Sequence, residues 1–485
     1  MRMLSHFRPR PAIRPMPASR LVPLIVAVAL FMENMDATMI ATSLPAIAAD
    51  IGTSPIALKL ALTVYLLSLA IFIPVSGWAA DRFGARRVFT AAIIVFMAGS
   101  LACATAESLM GFVGARFLQG MGGAMMTPVG RLVIMRTVEK REFVTAMAWF
   151  SIPALLGPIS GPPVGGFITT YFSWHWIFLI NIPIGIVGIF LALRFVPDLK
   201  AIEPRPLDSL GVVLIGIATS GLVFGSSVAS LGVLPALAWQ AMVVAGGAAA
   251  LAYLAHTRRT MHPIIDLRLM RTPSFGLSLG GATLFRIGVG AMPFLLPLML
   301  QLSFGLTPFE SGLITFTGAA GALVMKFAAK PILKRLGFRP VLVVNALIGA
   351  GFLAVIGFFT DATPVLLMMA LLLAGGFARS LQFTSLNALA FADISPARMS
   401  QATSLWAAAQ QVSLALGVAI GGTFLELSMS LHGGALRLAD FHFAFFGVAL
   451  VSALSIVFFL RLPEDAGSEM SGHVVGPRGG LSKLQ

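Results

Sequence analysis

Cysteine and charge are what this sequence has least of. The single cysteine, Cys103, excludes a disulfide framework within the chain and argues against thiolate metal sites, and no spacing of the seven His suggests a metal centre. Only 11% of residues are charged, against about 25% in an average soluble domain. No Gly-Lys pair occurs, so the phosphate-cradling loop of nucleotide hydrolases is missing. ATP hydrolysis within the chain is therefore not expected, and no constellation supports enzymatic catalysis. What is present is apolar: 58% of residues are hydrophobic and the mean hydropathy is +0.92. The bilayer is the natural solvent for such a chain.

A hydrocarbon core about 30 Å thick needs roughly 20 apolar residues per helix, and its backbone polar groups must be satisfied internally. On that criterion the sequence predicts fourteen spans, near residues 21–43, 56–79, 87–106, 109–132, 143–170, 174–196, 208–230, 236–256, 274–300, 311–333, 340–360, 364–391, 401–429 and 441–461. The expected fold is an all-α polytopic membrane protein. Five Arg precede the first apolar run, but Glu33 and Asp36 interrupt it and it is too long for a signal peptide, so it reads as a retained first helix.

The net charge of +14 does not imply a nucleic-acid partner, because the 33 Lys and Arg lie mostly between apolar runs. Five fall within spans (Arg116, Arg131, Arg286, Lys326 and Arg379) and two outside (Lys59 and Arg437). The rest lie in inside tails and loops if the N-terminus is cytoplasmic. By the positive-inside rule both ends are then cytoplasmic, and the basic tails also suit anionic lipid. Two charged, Pro-bearing segments, 197–208 and 256–273, set off two spans of low charge. The expected organisation is a tail at 1–20, a six-helix bundle at 21–197, a two-helix linker at 198–273, a second bundle at 274–462 and a tail at 463–485.

The halves repeat. At a separation of 253 residues, Arg82-Phe83-Gly84-Ala85-Arg86-Arg87-Val88 aligns with Arg335-Leu336-Gly337-Phe338-Arg339-Pro340-Val341, and Glu33 aligns with Arg286. Two bundles with the same loop in the same place imply a pseudo-two-fold around a central cavity, which favours alternating access.

Charge inside the membrane is expensive, about 2.5–3.5 kcal/mol per group by insertion scales. Glu33 and Arg286 each lie about 18 Å along their helices at about 1.5 Å per residue, near mid-membrane, and are expected to face the cavity and pair across it in some state. Asp36 lies one turn beyond Glu33 on the same face. Neighbouring acids raise one another's proton affinity, as burial does, so Asp36, Glu33 or both are candidate proton carriers.

The loop Gly77-Trp78-Ala79-Ala80-Asp81-Arg82-Phe83-Gly84-Ala85-Arg86-Arg87 resembles the signature of the major facilitator superfamily. Three further stretches resemble its fourteen-helix drug-proton antiporter family: Met35-Asp36-Ala37-Thr38 through Leu44-Pro45, Arg116-Phe117-Leu118-Gln119-Gly120, and Gly157 through Gly161-Pro162-Pro163-Val164-Gly165-Gly166. Trp174-His175-Trp176 through Asn181-Ile182-Pro183 is similar to that family's start of span six. Ala41, Ala79 and Ala85 depart from the pattern.

The resemblance implies two six-helix bundles with two linker helices and proton-coupled export from the bacterial cytoplasmic membrane. Its energy source would be the proton gradient, with no cofactor. Gly77, Asp81, Arg82, Gly84, Arg86 and Arg87 are then the cytoplasmic gate. Gly157, Gly161, Pro162, Gly165 and Gly166 form a bent packing face that seals against proton leak. Arg116 influences protonation of the span-one acids. Glu33, Gln119, Arg286, Arg379, Gln382 and Asn387 are candidates for the substrate cavity.

Substrate, protons and lipid are the expected partners of a monomer, with periplasmic or outer-membrane efflux components as further candidates. Multidrug efflux, export of an organic anion or metal chelate, and uptake by symport remain open, because mid-membrane bases outnumber acids and charge counting does not encode direction.

Overall fold

The computed structural model describes residues 18–139, 142–198, 200, 206–229 and 231–473. Most of both tails and part of the first Pro-bearing segment, including the Glu203-Pro204-Arg205 stretch, lie outside the described residues. Among the described residues there is no strand.

Among the described residues, fourteen long helices follow one another. They are α1 (Ala18–Asp50), α2 (Lys59–Phe83), α3 (Ala85–Ala104), α4 (Leu109–Thr137), α5 (Phe143–Tyr171), α6 (Trp176–Phe195), α7 (Ser209–Ala229), α8 (Ala236–Arg259), α9 (Pro273–Leu302), α10 (Pro308–Leu336), α11 (Phe338–Ile356), α12 (Val365–Ala390), α13 (Met399–Ser430) and α14 (Leu438–Phe459). Eleven are long and apolar enough to cross a membrane, and α10, bent by 60° between Lys326 and Ala328, makes a twelfth. Pro331 accounts for the bend, because it removes the amide that would bond to residue 327. α4 and α5 fall outside that apolar set, yet each has 29 residues, a length that spans about 30 Å at about 1.5 Å per residue. The fourteen expected spans are compatible with this architecture.

The helices pack as a repeat. α1 packs on α5 as α9 packs on α13, α2 on α4 as α10 on α12, and α3 on α6 as α11 on α14. The sharp turns α2–α3 and α10–α11 each depend on a glycine at positive φ, Gly84 (97°) and Gly337 (75°), a conformation that a side chain strains. The two bundles meet along α5 with α10 and along α2 with α13. Between the bundles in sequence, α7 and α8 cross where Gly221 and Gly246 let their backbones touch.

The apolar core divides unevenly. One cluster, holding Met39, Leu44, Leu58, Phe112, Phe294, Leu295, Leu298, Phe359, Leu425 and Phe441, draws on both bundles at the end where α1 runs towards α2. At the other end, that of the Gly84 and Gly337 turns, the core is two separate clusters. One belongs to the first bundle around Phe89, Phe96 and Val133, the other to the second around Phe275, Phe338 and Trp406. The bundles are thus fused at one end and apart at the other.

Candidate functional site

A cavity of about 220 Å³ lies between the bundles, lined by Thr38, Ala41 and Thr42 of α1, Pro158 and Pro162 of α5, and side chains of α9 to α12 that include Phe285, Met292, Phe352 and Arg379. The wall is chiefly apolar, with hydroxyls on the α1 side and one guanidinium opposite.

Behind that α1 wall, the carboxylate of Asp36 is fully enclosed. Arg116 Nη1 of α4 donates to its Oδ2 at 2.8 Å, and Gln119 Nε2 and Asn181 Nδ2 donate to its Oδ1 at 2.9 and 2.8 Å. Ser100 of α3 accepts from the Gln119 and Asn181 amides at 2.8 and 3.3 Å. Arg116 also donates to Gln119 Oε1 and lies over the Tyr65 ring, 4.1 Å from its centroid. Five helices, α1, α2, α3, α4 and α6, therefore converge on one ion pair. Charge-assisted bonds of this kind are roughly twice as strong as neutral ones.

Glu33, one turn away, accepts a bond from Thr127 at 3.0 Å. Tyr65 links the two acids in space: its ring supports Arg116, and both its hydroxyl and the Glu33 side chain approach Gly123, 3.3 and 3.4 Å from where a Cβ would sit.

The second bundle is built differently. Arg286 is completely buried, all three of its guanidinium nitrogens lack a hydrogen-bond partner among the described residues, and it stacks on Trp406 and Phe383 at 4.5 and 5.5 Å. Trp406 is fixed by donating to Asn387 Oδ1 at 2.7 Å. Arg379 reaches the cavity and donates to Gly318 O at 3.4 Å. Gln382 turns into its bundle, where it accepts from Asn345 at 2.9 Å and donates to Leu342 O at 3.2 Å.

Of the candidate cavity residues, only Arg379 lines this cavity. Glu33, Gln119, Arg286, Gln382 and Asn387 are not in its wall. In this conformation Glu33 and Arg286 do not form an ion pair: Glu33 bonds to Thr127, and Arg286 lies against aromatic rings.

In the α2–α3 loop, Asp81 accepts from Arg136 of α4 at 2.7 Å, and Arg87 lies 3.4 Å from Asp198. Arg82 is exposed, as is Gly77, which has open space around it. The first pair stays within the first bundle, the second ties the loop to the start of the linker segment, and neither crosses to the second bundle. In α5, Gly157, Gly161 and Gly165 face α1: a Cβ at Gly157 would stand 3.0 Å from Phe31 O, one at Gly161 would strike Thr38, and one at Gly165 would stand 2.7 Å from Met39 O. Gly166 faces Pro308 of α10, and Gly312 of α10 faces Pro162. This one helix therefore touches the acid-bearing helix and the other bundle.

A family model described as Major Facilitator Superfamily matches residues 26–255 and 277–474. The chain belongs to that superfamily. It is a multi-pass membrane transporter, 39% identical over 459 residues to proteins named MdtD from Salmonella heidelberg and Salmonella typhimurium, which are provisionally described as multidrug resistance proteins. The match covers 92% of this chain and 95% of theirs.

Solved structures share the fold. A D-xylose-proton symporter superposes with a TM-score of 0.64 at 15% identity, covering 92% of this chain and 98% of that one. The human organic anion transporter MFSD10 superposes with a TM-score of 0.59 at 16% identity, covering 92% and 100%.

Tyr65, Ser100, Asn181 and Arg136 are functional neighbours that the sequence did not single out for a role. Asn181 had a signal, since it sits in the Trp174–Pro183 motif.

Proposed function

We propose that this transporter is a proton-coupled antiporter exporting small organic compounds, several drug types among them, across a bacterial cytoplasmic membrane by alternating access. The observation that carries it is the buried Asp36–Arg116 pair behind a helix whose next turns, Thr38, Ala41 and Thr42, form the cavity wall. A proton arriving on Asp36 cancels the charge that Arg116, Gln119 and Asn181 converge on, and so loosens α1 from α4 and α6. α1 also rests on the glycine seam of α5, which touches the second bundle, so that release reaches the bundle interface.

The separated end carries Arg82, Arg87, Arg136, Lys334, Arg335 and Arg339, which by the positive-inside rule makes it cytoplasmic. The chamber then receives cargo from inside.

A second reading of the cargo, an organic anion or a metal chelate bearing carboxylates, is favoured by Arg286 and Arg379, neither of which has a carboxylate partner among the described residues. Proteoliposomes test both. Adding cargo to purified protein should release protons, and Asp36→Asn should abolish the release. Proton-coupled flux that survives Asp36→Asn sinks the coupling role. A panel of cationic, neutral and anionic cargo separates the two readings.

A further inference from the structure

At the fused end, Lys59 opens α2 with its side chain completely buried, and its Nζ lies 2.7 Å from Glu426 Oε2 on α13. The pair joins the two bundles. Lysine is rarely buried in full unless it is paired, and here the second bundle makes room for it: a Cβ at Gly422, one turn before Glu426, would stand 2.5 Å from Lys59 Cδ. Leu58, Leu60, Leu62 and Leu425, members of the shared core, lie beside the pair in sequence. The other carboxylate oxygen, Glu426 Oε1, has no hydrogen-bond partner among the described residues.

A buried pair with an unsatisfied oxygen is a poor source of stability, because desolvating two charges costs about as much as their attraction returns. Parting α2 from α13 would let water reach both charges. Closure at this end is thus held by a contact whose rupture is offset by hydration, which a wholly apolar seam would not allow.

We propose that Lys59 and Glu426 are further residues of the transport cycle: a latch between the bundles that holds the outer end shut and must break once per turnover. The inference rests on the alternating-access reading, but not on the nature of the cargo or on proton coupling.

The test uses the full chain in membranes, with Cys103→Ser as background and Thr42→Cys, on the cavity wall, as reporter. A membrane-impermeant maleimide is added from the side of the latch. Lys59→Met takes the cation from Glu426 and Glu426→Gln takes the carboxylate from Lys59, so each removes the ion pair across the seam and should shift the population towards the outer-open state. Each should raise the labelling rate about tenfold, equivalent to about 1.4 kcal/mol.

The double variant strands no charge and should fall back to within about threefold of the parent, since replacing both partners is near neutral. Should Lys59→Met fail to reach the membrane, Glu426→Asp, too short for the 2.7 Å contact, carries the same expectation at smaller size. Single variants that label at the parent's rate overturn the proposal, and so does a double variant that labels faster than either single one. Because labelling reads conformation and not flux, a parent that exports no cargo while its variants show the expected labelling pattern would count against the function proposed above and not against the latch.

Discussion

Two fully buried arginines in unlike surroundings make the sharpest contrast at the scale of single residues. Arg116 has a carboxylate, an amide and an aromatic face; Arg286 has aromatic faces alone. Removing one partner of a buried pair costs about 3–5 kcal/mol, whereas removing a charge with no partner relieves a desolvation cost. Arg116→Met should therefore lower the melting temperature in detergent and Arg286→Met should raise it, by thermal unfolding of the two side by side. A fall in both would show that Arg286 has a counter-ion. Asn181→Ala removes one of three donors to Asp36 and should cost about 1–3 kcal/mol, read in the same experiment, with a smaller loss of export than Asp36→Asn. The sequence marked Asp36, Arg116 and Gln119 through their spacing and motifs. It hid Tyr65 and Ser100, because nothing local distinguishes a tyrosine that will sit under a guanidinium from one that merely fills a helix.

Among elements, α5 is the one whose sequence pattern translated most directly into packing. The packing face that the family resemblance implied is there: Gly157, Gly161 and Gly165 meet α1 while Gly166 meets α10. Which helices they would meet was not legible, since spacing encodes a face and not its partner. Gly165→Val places atoms against the Met39 backbone, and overpacking of this kind costs about 1–3 kcal/mol. The expected result is a raised passive proton leak in vesicles without added cargo; an unchanged leak with normal export would show that the seam is packing and nothing more. The partners of the gate loop were less legible: Asp81 pairs with Arg136 and Arg87 with Asp198, residues that the loop's local charge pattern cannot name.

Over the whole molecule, the internal repeat was the strongest long-range signal, because a glycine turn flanked by bases has to recur where the same corner recurs. Gly84 and Gly337 both adopt positive φ, and the helix neighbours match half for half. Contacts between the halves were invisible: Lys59 and Glu426 stand 367 residues apart, and reading Lys59 as a base on the outer side named no partner for it. Phe309 N donates to Thr170 Oγ1 at 3.0 Å across the other seam. A Thr170→Cys/Phe309→Cys pair should therefore cross-link on oxidation and stop export, with reductant restoring it; undiminished export after complete cross-linking would mean that these ends never part. The fused core has a further consequence. To face the other way, the molecule must give Phe294, Leu295 and Leu298 to water, at about 25 cal/mol for each Å² uncovered. On the export reading proposed above, an unladen molecule would idle with its mouth towards the side that supplies the load, and the backward swing would be borrowed from whatever it picks up there.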